Sequence, residues 1–300
     1  MRVLFVCLAA VACGHARPLL QHEPLVTAGL YRQVMLQVGN ETVPFILDTG
    51  GHFASLPLAV AQRQHFSIRD HSKLDSTAQS RFFFVDYYGG MHADLVAYST
   101  PVTFPGGESM RLDLQLVSEG AYAQVGTISP QDLLNRGDAF ILDRSSDELQ
   151  VLGSAEAVAQ FRGEHPDAQQ VEFMSCGELR AAAVEINGVK TWLQLSTAST
   201  ATFLNRRSPV LATMLHETGK VTQIGGLGPG LPGLMLGRMP VHLAGRSIDA
   251  DVVVVPSVSE CKDVEGSLGM DVLQNCSIAW TNDALWVSCG PQEILDRAGL

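Results

Sequence analysis

The sequence predicts an all-β chain made of two related halves. Three observations carry this. Short apolar runs of alternating pattern are separated by Gly, Asn and Pro throughout. A hairpin followed by a polar loop is written twice, at residues 36–50 and 184–198. An ending of short helix, strand, polar turn and strand is also written twice, as ISPQDLLNRGDAFILDRSSDELQVLG and SLGMDVLQNCSIAWTNDALWVSCG.

From the start of the chain, residues 1–16 (MRVLFVCLAAVACGHA) have Arg2, an apolar run from Val3 to Ala12 and then small residues, the order of a secretory signal peptide. Ala10-Val11-Ala12-Cys13 resembles an imperfect lipobox that would attach lipid at Cys13, but simple export to the periplasm or outside the cell is the preferred reading. The first lobe is expected over 25–153. It opens with LQVGNETVPFILD, where Gly39-Asn40 turns between alternating strands. Residues 82–107 read as two strands around Gly89-Gly90. The polar, partly helical segment 154–171 is the expected inter-lobe linker. The second lobe, 172–290, opens with VEINGVKTWLQLS, whose Asn187-Gly188 is the strongest short hairpin signal available. Laid over the first copy without a gap, Leu36 meets Val184, Phe45 meets Leu193, Leu47 meets Leu195 and Asp48 meets Ser196. A Gly/Pro-rich stretch at 221–245 stands where the first half has 82–107, and 291–300 is a tail.

An apolar strand running into Asp48-Thr49-Gly50 after a hairpin, with Leu268-Gly269-Met270-Asp271 before a short helix, resembles the retropepsin and pepsin superfamily of aspartic proteases, especially the bacterial retropepsin-like branch. In the first half, Ser129-Pro130-Gln131-Asp132 matches that second motif with Pro130 in place of Gly. The resemblance covers about residues 25 to 290. It implies two β-barrel lobes, a peptide-sized cleft between them, Asp48 as the catalytic carboxylate, and Thr49 and Gly50 as its supporting loop. It further implies a flap with Tyr88, Gly89 and Gly90 against substrate.

The chemistry implied by the resemblance needs two acids. Two carboxyl groups about 3 Å apart share one proton, so one activates water while the other protonates the peptide. The second loop here reads Ser196-Thr197-Ala198, with serine in place of the acid and alanine in place of glycine. A serine hydroxyl holds a water but is a poor proton donor. Asp48 is therefore expected to titrate as an ordinary or depressed carboxylate, and losing the acid role costs about 10²- to 10⁴-fold in rate. Two functions follow: an aspartic endopeptidase with an atypical single-Asp site, or a weak or inactive pseudoprotease that binds peptide or a protein partner. His52, four residues after Asp48, is a candidate accessory group.

The remaining features narrow the partners. With 31 acidic and 20 basic side chains the formal charge is -11, which disfavours nucleic acid and anionic membrane surfaces. No run after the leader is long and apolar enough for a membrane helix, and a monomer is expected. Cys176, Cys261, Cys276 and Cys289 are disulfide candidates in an exported chain; three pairings are open, with Cys176 to Cys289 and Cys261 to Cys276 favoured. No C-x-x-C, H-E-x-x-H or G-x-S-x-G occurs, and the paper match of Gly228 to Gly233 to G-x-G-x-x-G contains two prolines. No metal and no organic cofactor is implied.

Overall fold

The computed structural model describes residues 23–28, 31–51, 54–70, 95–118, 124–134, 137–176, 179–214, 220–224, 231–255 and 261–291. The leader with Cys13, the accessory candidate His52, the expected flap residues Tyr88, Gly89 and Gly90, and the tail from residue 292 lie outside them.

The two hairpins form as their patterns require. Strand Tyr31–Val38 alternates buried and half-buried residues and pairs antiparallel with Glu41–Leu47. Its copy, Leu179–Ile186, pairs with Val189–Leu195. At the second turn Asn187 and Gly188 both have positive φ, 51° and 76°, the combination that matches the twist of the flanking strands. At the first turn only Gly39 does, at 61°. One face of each hairpin is mainly apolar and buried: Val34, Leu36, Val38, Phe45 and Leu47 in the first, where Arg32 shares the face, and Ala182, Ile186, Leu193 and Leu195 in the second, where Thr191 shares it. Burying each large side chain of this kind contributes about 1.5–3 kcal/mol, which sets the register because a one-residue slip would turn that face outward.

Around each hairpin a six-strand ring closes. In the first lobe the order is Tyr31–Val38, Glu41–Leu47, Gly126–Ile128, Ala54–Pro57, Ser109–Val117 and Leu95–Thr103, which returns to the first strand through Gln37 with Thr103 and Val38 with Val102. In the second it is Leu179–Ile186, Val189–Leu195, Gly266–Leu268, Thr202–Asn205, Arg246–Val255 and Leu231–Leu243, closed through Glu185 with His242 and Ile186 with Val241. The strand orders are the same, down to the parallel pairings of Glu41–Leu47 with Gly126–Ile128 and of Val189–Leu195 with Gly266–Leu268. The all-β, bilobal architecture expected from the sequence is the one observed.

A third sheet joins the halves. It takes Glu23–Pro24, Glu148–Gly153 and Asp138–Asp143 from the first half and Cys276–Trp280, Leu285–Cys289 and Gln169–Val171 from the second. Its centre is the antiparallel contact of Phe140 with Trp280, Ile141 with Ala279 and Leu142 with Ile278. The expected linker supplies the helix Ser154–Glu164, which lays Ala157 and Phe161 on Ala139, Ile141, Leu152 and Ala279. The two lobes therefore stand on one continuous apolar floor.

That floor also corrects the favoured cysteine pairing. Cys276 and Cys289 stand opposite each other in the last hairpin, with Cα atoms 4.0 Å apart, and are joined to each other. Adjacent strands bring directly opposed residues to about 4.5–5.5 Å, within disulfide reach, so the hairpin register chose the pair. Cys261 is also disulfide-bonded.

Candidate functional site

Each lobe delivers its loop to the lobe junction at the point where a ring strand stops. Leu47 pairs with Ile128, and the Asp48 N–H still donates to Ile128 O at 3.0 Å before the chain turns. In the other lobe Leu195 pairs with Leu268, and Ser196 N–H donates to Leu268 O at 3.0 Å. Gly51 N–H then reaches back to Asp48 O at 3.2 Å, as Ser199 N–H does to Ser196 O at 3.3 Å.

The two loops interlock through their threonines, 148 positions apart. Thr49 Oγ1 donates to Leu195 O at 2.9 Å, and Thr197 Oγ1 donates to Leu47 O at 2.5 Å. Each hydroxyl also accepts the other's backbone N–H, at 3.1 Å from Thr49 and 3.3 Å from Thr197. Both threonines are buried, so these four bonds sit away from water, where an unmade bond is costly. The sequence-expected pairing of Asp48-Thr49-Gly50 with Ser196-Thr197-Ala198 is realised as contact.

Asp48 is half-buried at this junction. Its Oδ1 accepts from Gly50 N–H at 2.9 Å, and the Ser196 hydroxyl donates to the same carboxylate. A side chain at Gly50 would lie 2.9 Å from Ser196 Cβ and 3.0 Å from its Oγ, so only glycine lets the two loops approach this closely. Enclosure by the lobes pushes the Asp48 carboxyl up to about 6, with the bonds from Gly50, Gly51 and Ser196 acting against that rise. The expectation of an ordinary or depressed acid is thereby overturned: desolvation outweighs the hydrogen bonds, and a like charge is not needed to hold a proton here at mildly acidic pH.

Residues not singled out from the sequence complete the site. Tyr31 begins the first hairpin and packs with Ile46, Ala198 and Val125; burial, and then the Asp48 charge, raise its phenol. Gln194 Nε2 donates across the lobes to Gly50 O at 2.6 Å. Gln131 Nε2 donates to Thr49 O at 3.4 Å. Gln194 was legible as a polar residue at a repeat position where the first copy carries Ile46.

The two helical pieces behind the loops differ from expectation. Because Ile128 and Leu268 hold equivalent pairings, Ser129 matches Gly269 and Gln131, not Asp132, matches Asp271. Asp132 instead caps the short helix Pro130–Leu133 by accepting Ser129 N–H at 3.3 Å. Asp271 is buried and accepts from Thr202 N–H at 3.0 Å, Thr202 Oγ1 at 2.9 Å and Asp251 N–H at 2.9 Å. Burial pushes it up to about 6 despite these bonds.

These raised acids make stability depend on pH in a definite direction. A carboxyl raised from 3.8 to about 6 contributes fully below pH 4 and loses that contribution as pH rises through 6, at a cost of about 3 kcal/mol for each of Asp48 and Asp271 at neutrality. Burial raises Glu23 and Glu265 in the same sense. Asp143 acts oppositely: its bonds from Ser145, Ser277 and Ser146 outweigh its burial and hold it at about 2, so its contribution is lost only as pH falls below 4. Thermal unfolding followed at pH 7.5 and 4.5 is expected to show a midpoint several degrees higher at 4.5, and Asp48→Asn should shrink that gap. A lower midpoint at pH 4.5 would contradict the burial argument.

Among the described residues one group, Asp143, Glu164 and His165, brings three metal-type ligand atoms within 4.8 Å of one another. The Asp143 oxygens already accept from Ser145 N–H and from the hydroxyls of Ser145, Ser146 and Ser277, all at 2.8–2.9 Å. That carboxylate is committed to its own turn and to Ser277 of the last hairpin.

No protein-family model matches the sequence, and no curated protein matches it. Among solved structures, conglutin gamma, a basic 7S globulin from lupine seeds, is similar at 11% identity with a TM-score of 0.52, over 91% of this chain and 95% of that one. An aspartic proteinase from Irpex lacteus aligns at 11% identity with a TM-score of 0.48, over 90% of this chain and 97% of its own. The likeness to conglutin gamma is one of fold, spanning both lobes, and agrees with the bilobal, two-barrel arrangement of the strands.

Proposed function

We propose that this chain is an exported, acid-protease-like protein that takes an extended peptide between its lobes against Asp48, and that it holds the peptide rather than cleaving it efficiently. The observation that supports this reading is the Asp48–Ser196 contact: two loops, one from each lobe, interlock beside a carboxylate whose partner across the junction is a hydroxyl. A single carboxyl serves as base or as acid at a given moment, whereas peptide hydrolysis by a carboxyl pair uses both at once. The kinship to the retropepsin-like branch rests on Asp48-Thr49-Gly50 and Leu268-Gly269-Met270-Asp271. Export is supported by the leader pattern and by the Cys276–Cys289 disulfide, which suits an oxidising compartment. Among the described residues no helix is long and apolar enough to cross a membrane.

A second reading, slow hydrolysis through Asp48 alone, is favoured by one observation: an acid near 6 is protonated in mildly acidic surroundings and so has a proton to give. Incubating the wild-type protein with a pool of unstructured peptides at pH 5 separates the two. Retention of peptide without turnover, lost in Asp48→Ala, supports the binding role. Turnover that Asp48→Ala abolishes supports hydrolysis. Turnover that Asp48→Ala leaves untouched, or neither binding nor turnover, removes the site from both readings.

A further inference from the structure

The lobe junction obeys its twofold pattern in the strand ends, the loop turns and the threonine interlock, and departs from it in the side chains around the carboxylate. Two residues before the loop, the first lobe has Ile46 and the second has Gln194. Ile46 is buried against Ala198, Tyr31 and Val125. Gln194 lies between core residues Leu193 and Leu195, is itself half-buried, and sends its amide across the junction to Gly50 O. The Ser196–Ala198 loop is thus backed by hydrocarbon, and the Asp48–Gly50 loop by an amide donor.

The accepting carbonyl belongs to the Gly50–Gly51 peptide, and the other end of that peptide faces Asp48. Gly51 N–H is bonded to the Asp48 carboxylate as well as to its backbone oxygen. A side chain on Gly51 would meet Asp48 Oδ2 at 2.9 Å, which shows how closely this peptide covers the carboxylate. A donor on a peptide's C=O polarises the group and strengthens its N–H as a donor. The bond is short, 2.6 Å, and joins two lobes, so it also fixes the peptide plane. A side chain at Gly50 would crowd Gln194 Nε2 at 3.2 Å; glycine there serves the amide as well as Ser196.

We propose that Gln194 is a positioning residue for Asp48: by holding Gly50 O from the opposite lobe it orients the Gly50–Gly51 peptide so that its N–H stays on the carboxylate. The inference deepens the functional reading above, since it takes Asp48 as the working carboxyl. It assigns Gln194 part of the support that a second carboxyl loop would otherwise supply, and it makes the acidity of Asp48 depend on the lobes being docked. Tyr31, neutral, is the titratable side chain that interacts with Asp48, and it packs against Ala198 and Ile46.

The test is the Asp48 titration itself, read by carbon NMR of the carboxyl and assigned with Asp48→Asn. Gln194→Met removes the donor at similar volume; Gln194→Asn keeps an amide but shortens it by one methylene, out of reach of Gly50 O. Both variants are expected to move the Asp48 midpoint upward by ~0.5–1 unit, because the ionised form loses a donor. A midpoint unchanged in both, with the variants folded by circular dichroism, overturns the proposal. An upward shift in Met but none in Asn also overturns it, since that pattern is desolvation by an apolar group. Peptide binding by the wild type is measured separately: its absence would sink the functional reading and leave the Gln194 relay standing, while normal binding with unmoved midpoints would do the reverse.

Discussion

Peptide hydrolysis at pH 4 is expected to rise by about 10²- to 10⁴-fold when Ser196 is replaced by aspartate, the span typically assigned to a positioned proton donor or acceptor. Ser196 already hydrogen-bonds to Asp48, so a carboxyl at this position arrives within reach of the old one. Two carboxyls so close cannot both ionise, and the pair would share one proton, giving base and acid together. The threonine interlock that would hold them is intact. Gly50 leaves the space at 196 free of a competing side chain. The measurement is cleavage of a quenched-fluorescence peptide pool by wild type, Ser196→Asp, and Ser196→Asp combined with Asp48→Asn. The double variant should fall back to the wild-type level or below. A Ser196→Asp protein that folds, binds peptide and shows no gain would mean that the missing acid is not what limits this site.

The second large effect is on stability. Thr49→Val removes the hydroxyl that serves Leu195 O and Thr197 N–H; Thr197→Val removes the one that serves Leu47 O and Thr49 N–H. Each change strands one buried carbonyl and one buried amide, at about 1–3 kcal/mol per group. Each single variant is therefore expected to lose roughly 2–6 kcal/mol in urea unfolding, a large share of the 5–15 kcal/mol typical of a whole domain. The two variants should combine to less than their sum, because the first already lets the loops separate. Additive losses would mean that the two halves of the interlock act independently. Serine in place of either threonine keeps the hydroxyl and should retain most of the stability.

The parts of this fold that were legible in advance are those set by local chemistry. Asn187-Gly188 can turn a hairpin because both residues tolerate positive φ, and the alternation of Leu36, Val38, Phe45 and Leu47 leaves one face to bury. The match of Asp48 with Ser196 came from the same periodicity, copied once. The pairing of Cys276 with Cys289 was less accessible, since four cysteines allow three pairings and only the register of the last hairpin selects one. The equivalence of Gln131 with Asp271 was hidden for a similar reason: two aspartates that each stand two residues before a leucine look alike in a string, and strand pairing shows that they occupy different steps of their helices.

The chain alone determined that two like halves would each carry a strand into a polar loop, and that one loop would hold an acid and the other a hydroxyl. What Asp48 became was decided by the assembled lobes. Its carboxyl is enclosed by atoms of both halves, its oxygens meet donors from Gly50, Gly51 and Ser196, and the first of those glycines is held by Gln194 from across the junction. Acidity depends on how much water is excluded and how many donors point inward, and both quantities arise only when residues distant in the chain are brought to one place.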